Sequence, residues 1–74
     1  MTLSLAHDSD VRVVLFDATG RALRTLLNGR RFAGVHPIAW DGRVPSGSTA
    51  PAGVYFVRAR VEGRQITRRI VRIH

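Results

Sequence analysis

The chain of 74 residues contains no cysteine. That excludes both a disulfide framework and a thiolate metal site. A chain at the small end of what one hydrophobic core can hold must then be stabilised by burial alone. Long apolar runs are missing too: nothing approaches the roughly 20 residues of a membrane-spanning helix. Met1 to Ala6 carry neither the basic segment nor the apolar run of a signal peptide, so an export signal is expected elsewhere in a longer parent protein. Acidic residues are scarce. Five Asp and Glu face twelve basic residues, for a net charge of +7. Lysine is absent, so all twelve are Arg.

The arginine bias has two readings. Guanidinium forks bind phosphate in bidentate fashion, which suits a nucleic-acid or polyanion surface. Alternatively, a GC-rich genome has written ordinary solvated positions as Arg. The second is preferred, because a basic footprint is only the first of several signs that nucleic-acid binding requires. Hydrophobic residues make up 45% and charged residues 23%, the balance of a folded globular chain. The length leaves room for one domain, residues 1–74.

What is present reads as β-structure. Helical periodicity is weak, and β-branched and aromatic residues gather in short runs separated by Gly, Pro, Asn and Asp. Six or seven strands are predicted. The first is Thr2 to Ala6, followed by a polar break at His7, Asp8, Ser9 and Asp10. The second is Val11 to Asp17, with Val11, Val13 and Leu15 inward. Asp17-Ala18-Thr19-Gly20 reverses the chain into Arg21 to Leu27. Asn28-Gly29 marks a further turn. Val35 to Asp41 puts Ile38 and Trp40 on one face, and Pro37 argues for an edge position or an irregular start. Gly42 to Gly53 is a long loop containing Pro45, Ser46, Gly47, Ser48 and Pro51. Val54 to Val61 and Arg64 to Ile73 form a hairpin around Glu62-Gly63. Tyr55, Val57, Ala59 and Val61 line its apolar face. The slipping period of the last strand predicts a bulge near Arg68-Arg69.

Three segments together resemble a known family. They are Val11-x-Val13-x-Leu15-Phe16-Asp17-x-x-Gly20-Arg21, then Gly34-x-His36-x-Ile38-x-Trp40-Asp41-Gly42, then Ala52-Gly53-Val54-Tyr55-Phe56-Val57. They are similar to the Ig-like domain of the flagellar hook-capping protein (the FlgD Ig-like family) and to the related C-terminal sorting domains of the type IX secretion system. The resemblance implies an immunoglobulin-like antiparallel β-sandwich of about seven strands at the C-terminus of a larger exported bacterial protein. It also implies a part in an assembly, or a tag read by secretion machinery, and no catalysis in either branch.

The motif residues Asp17, Gly20, Trp40, Asp41, Gly42, Gly53 and Tyr55 have structural readings of their own. Trp40, the only tryptophan, anchors the core. Asp41 accepts amides of the following turn. Gly53 permits a kink at the loop exit, and Tyr55 is buried with its hydroxyl bonded to backbone or water.

Candidate chemistry is thin. His7-Asp8-Ser9-Asp10 offers ligands for calcium, but too few oxygens for a site, and reads as a solvated turn. Ser4, Ser9, Ser46 or Ser48 would need His7 or His36, an Asp and an oxyanion hole to make a nucleophile, and none lies in an elbow sequence. His36 reads as a partly buried structural residue. Arg58 and Arg60 share one strand face, and antiparallel pairing is expected to join them to Arg64, Arg68 and Arg72 as a basic partner-binding ribbon.

The resulting expectation is a non-catalytic module without cofactor or metal, secreted or held at the cell envelope. In isolation it is a monomer. It targets, anchors or assembles its parent by binding a protein of the secretion machinery, the envelope or an appendage. A small basic β-domain binding nucleic acid or another polyanion is the alternative.

Overall fold

A computed structural model describes residues 2–44 and 46–73. Met1 and His74, the chain ends, and Pro45 of the expected long loop lie outside the described residues. Among the described residues six strands follow in order: β1 Thr2–Leu5, β2 Ser9–Asp17, β3 Ala22–Arg31, β4 Gly34–Pro37, β5 Gly53–Val61 and β6 Arg64–Arg72. The fold is all-β. Its strands form a four-stranded antiparallel sheet, ordered β3-β2-β5-β6, and a two-stranded sheet of β1 and β4.

Alternation makes the two central strands. In β2, Ser9, Val11, Val13 and Leu15 point inward, and in β5 Tyr55, Val57 and Ala59 do the same. The register sets like against like, with Val13 opposite Ala59 and Leu15 opposite Val57. Leu3 and Leu5 of β1, with Ile38 and Ala50, close the core from the other side to complete the sandwich. Each buried Val or Leu contributes about 1.5–3 kcal/mol relative to exposure.

Three expectations are corrected. The strand predicted to stop before Asn28-Gly29 runs on to Arg31, with Asn28 opposite Arg12 and Gly29 opposite Val11. The turn signal loses because β2 begins at Ser9 and offers partners that far along, while glycine tolerates the positive φ of 122° at Gly29. The bulge expected near Arg68-Arg69 is absent: β6 pairs with β5 without a break from Arg64↔Val61 to Arg72↔Gly53. Register shifts occur in β3 instead, between Val13/Val14 and Leu15/Phe16 of its partner, so ten residues oppose eight. Leu23 and Leu26 are the two extra residues. They and Leu27 all pack against the core.

The strand expected over Val35 to Asp41 is shorter. It ends at Pro37, which lacks the N–H that a ladder needs. The loop that follows is tied to itself. Arg43 bridges Thr49, the Ala50 amide donates to Gly42 O at 2.7 Å, and Val44 N donates to Ser48 O at 2.9 Å.

Candidate protein-binding surface

At one end of the sandwich the motif residues converge. Asp17 Oδ1 accepts from the Thr19 amide at 3.0 Å, the Thr19 hydroxyl at 2.6 Å and the Arg21 amide at 3.0 Å. The Thr19 hydroxyl first, then the Arg21 amide, hold the carboxyl below its ordinary value. Gly20, at φ 89°, closes this turn by donating to Asp17 O. Asp41 accepts from the Arg43 amide at 2.9 Å and pairs with Arg24 at 3.0 Å. Its pKa is lowered for these reasons, the amide first.

Trp40 is half-buried, its ring 5.1 Å from that of Tyr55, and its indole N–H donates to Arg43 O. Tyr55 is buried and its hydroxyl donates to Pro51 O at 2.6 Å, four residues upstream. Gly53, between them in sequence, takes φ 153° at the loop exit.

Arg72 belongs to this end. Its guanidinium lies over the Trp40 ring at 5.6 Å and its Nε donates to Ala50 O. A Cβ on Gly42 would meet that guanidinium at 2.5 Å. Gly42 therefore serves both its own positive φ of 77° and the seat of Arg72.

The expected basic ribbon is divided by the register. Arg58 stands opposite Thr67 and Val14, and Arg60 opposite Gln65 and Arg12, on the outer face of the large sheet. Arg64, Arg68 and Arg72 stand opposite Val61, Val57 and Gly53, on the core side. A bulge in β6 would have changed sides midway along the strand; continuous pairing keeps the three on one side.

Sequence reasoning missed Arg12. Its signal was there in β2, where Arg12, Val14 and Phe16 occupy the positions that alternate with Val11, Val13 and Leu15. With Arg58 and Arg60 these residues and Ala22 line a groove of about 180 Å³. The Arg58 guanidinium covers the Phe16 ring at 4.7 Å. Arg12 and Arg60 face each other directly, a like-charge pair that costs stability in a sheet. Neither forms an ion pair among the described residues; Arg60 has only Gln65 Oε1 at 3.3 Å. An incoming carboxylate would relieve that repulsion.

The other candidates are engaged structurally. Ser9 and Asp10, expected in a solvated turn, instead begin β2, because Arg31 and Arg30 of β3 pair with them; Ser9 is buried and its hydroxyl donates to His7 O at 2.8 Å. The Ser46 hydroxyl donates to that of Ser48. His36 Nε2 bonds Phe32 O at 2.6 Å. Asp8 Oδ1 accepts the Ala33 amide, and Asp10 lies 3.7 Å from Arg30.

Two antiparallel sheets closed over one core, with a tyrosine hydroxyl bonded to backbone just upstream of its strand, define an immunoglobulin-like module. The model of the FlgD Ig-like domain matches residues 1–65. The chain belongs to that family. It is 45% identical over 47 residues to the basal-body rod modification protein FlgD of Escherichia coli strain K12, and 44% identical over 47 residues to that of Salmonella typhimurium. Each alignment covers 64% of this chain and 20% of the relative, so the chain matches about a fifth of those proteins' length.

Proposed function

We propose that the chain is a non-catalytic Ig-like module through which a longer exported bacterial protein docks a protein partner in assembling an appendage or envelope structure. The observation that carries this reading is membership of the FlgD Ig-like family, whose matched relatives are named as basal-body rod modification proteins. The module acts outside the cytoplasm, secreted or at the envelope, and contributes a contact surface rather than a reaction. Its contact surface is the outer groove. Arg12, Arg58 and Arg60 present three cations around the apolar floor of Val14 and Phe16, which suits an acidic segment of an envelope or appendage component.

The test is made in the source organism, with Arg12, Arg58 and Arg60 all replaced by Glu in the parent gene. The expected result is a parent protein that is made, folded and exported normally while its assembly fails by electron microscopy. Retention of the parent inside the cell would move the module to targeting by the secretion machinery. Unchanged assembly and export would overturn the docking role of this face. Purified wild-type chain that binds random DNA below micromolar Kd, with a steep loss on adding salt, would favour the polyanion alternative, since charge alone gives roughly 10⁻⁴ to 10⁻⁶ M.

A further inference from the structure

The core side of β6 reads Arg64, Ile66, Arg68, Ile70, Arg72, basic and aliphatic in strict alternation. Their partners on β5 are Val61, Ala59, Val57, Tyr55 and Gly53. Three of those partners are buried, yet Arg64, Ile66 and Arg68 are exposed and Ile70 is only half-buried. The cause is the size of the second sheet, which sets two strands against four among the described residues.

On that side, β1 is the edge of the small sheet. Leu3 and Leu5 share a cavity of about 430 Å³ with Val61, Arg64 and Ile66. Farther along, a cavity of about 390 Å³ opens between Ile38, Trp40, Val57 and Ile70. Having β4 as its one partner among the described residues, β1 has an edge whose backbone N–H and C=O groups are open to pairing. Strands pair about 4.8 Å apart and packed sheets lie about 10 Å apart, so a strand added beside β1 would sit over the open row of β6.

We propose that this seam accepts an extended segment of a partner protein as a third strand of the small sheet. The segment's inward side chains are alternately aliphatic and acidic. Its aliphatic groups cover Ile66 and Ile70, and its carboxylates meet Arg64 and Arg68. Backbone pairing with β1 supplies affinity, and the alternating row supplies register. Arg72 takes no part, being held over Trp40. Charge selects the occupant: a second copy of this chain carries the same +7 and would bring arginines against arginines. The proposal rests on the protein-docking reading above but uses a different surface, so the two can fail separately.

The experiment titrates the labelled 74-residue chain with a synthetic peptide of about ten residues, Thr alternating with Glu and Val in turn, followed by amide NMR. Shifts are expected at Leu3 to Leu5 and at Arg64 to Ile70. Methylating alternate peptide nitrogens, or introducing Arg64→Glu with Arg68→Glu, should each weaken binding by about tenfold or more. The double variant should keep the wild-type melting curve. The Arg12, Arg58 and Arg60 charge-reversal variant should bind the peptide as before.

Equal binding of the methylated peptide would reduce the effect to bulk charge and overturn strand addition. Shifts centred on the outer groove, or no binding at all, would overturn the site and leave Arg64 and Arg68 as solvated guards of an edge strand. Dimerisation of the free chain through the same residues would assign the seam to a second copy.

Discussion

β5 and β6 are neighbours in one sheet, nine residues each, paired without interruption. Their core sides nevertheless have opposite fates. Val57 and Ala59 are 1% and 0% exposed, while Ile66 directly opposite Ala59 is 39% exposed. The two strands have the same backbone geometry, and both carry aliphatic residues on that side. What differs is the cover: β1, Ile38 and Ala50 bury the core side of β2 and β5, whereas on β6 they reach Ile70 and Arg72 and leave Arg64, Ile66 and Arg68 exposed. Burial in a sandwich is thus set by the opposing sheet as much as by a strand's own pattern. The contrast recurs within β6, where Arg72 has a seat made by Trp40, Gly42 and Ala50, while Arg64 and Arg68 are exposed.

The largest test of this comparison is Trp40→Ala, which uncovers Tyr55 and unseats Arg72 together. A loss of about 3 kcal/mol in urea unfolding is expected, the low end for a large aromatic because Trp40 is half-buried. An unchanged midpoint would show that the covered end does not depend on this ring. Next comes a direct contrast between the strands. Val57→Ala removes two buried methyl groups and should cost about 2 kcal/mol, including the cavity left behind. Ile66→Ala removes more carbon but should cost under about 1 kcal/mol, since its side is already wet. Equal losses would mean that β6 is covered in solution.

The arginine contrast is sharpened by Gly42→Ala. A side chain there must take φ near 77° and push the Arg72 guanidinium aside, for a cost of about 1–3 kcal/mol. On an Arg72→Ala background part of that cost should disappear, because the two changes share one contact. Arg68→Ala alone should stay within about 0.5 kcal/mol of the wild type.

The covered region was the legible one. β2 and β5 each have one dry face, so alternation alone located Val11, Val13, Leu15, Tyr55, Val57 and Ala59 as inward residues, but not Ser9, whose polar neighbours mark a break. The bonds of Asp17 and Tyr55 were readable because they are local, within four residues of the groups they join. β3 misled because a glycine after asparagine has the same signature in a turn and in a strand whose partner happens to extend. The basic surface was misassigned because its membership depends on register. Arg12 reaches Arg58 and Arg60 only through the pairing of β2 with β5, which are far apart in sequence. The slipping period of β6 comes from its end, where Arg72 takes the core side over Trp40 and Val71 turns outward, 61% exposed, with no bulge between them.

Acid should separate the two regions with the smallest effect. Asp17 and Asp41 have pKa values held below the ordinary aspartate value of 3.8 by hydrogen bonds, Asp17 from Thr19 and Arg21, Asp41 chiefly from the Arg43 amide. A carboxyl whose pKa is lower folded than unfolded adds stability above the unfolded value, and loses it as pH falls through the folded one. Asp41 is exposed and Asp17 partly exposed, so the loss is modest and confined below about pH 4. Both lie at the Trp40 end, one in the β2–β3 turn and one in the loop after β4. No Asp or Glu lies within β6. Hydrogen exchange measured from pH 5 downward, after correction for intrinsic rates, should therefore show earlier opening at Thr19, Arg21 and Arg43 than across the β5–β6 pairing. Asp17→Asn should remove the pH dependence at Thr19 and Arg21 while leaving that at Arg43. If β5 and β6 opened first on acidification, Asp17 and Asp41 would not be the groups through which acid loosens the domain.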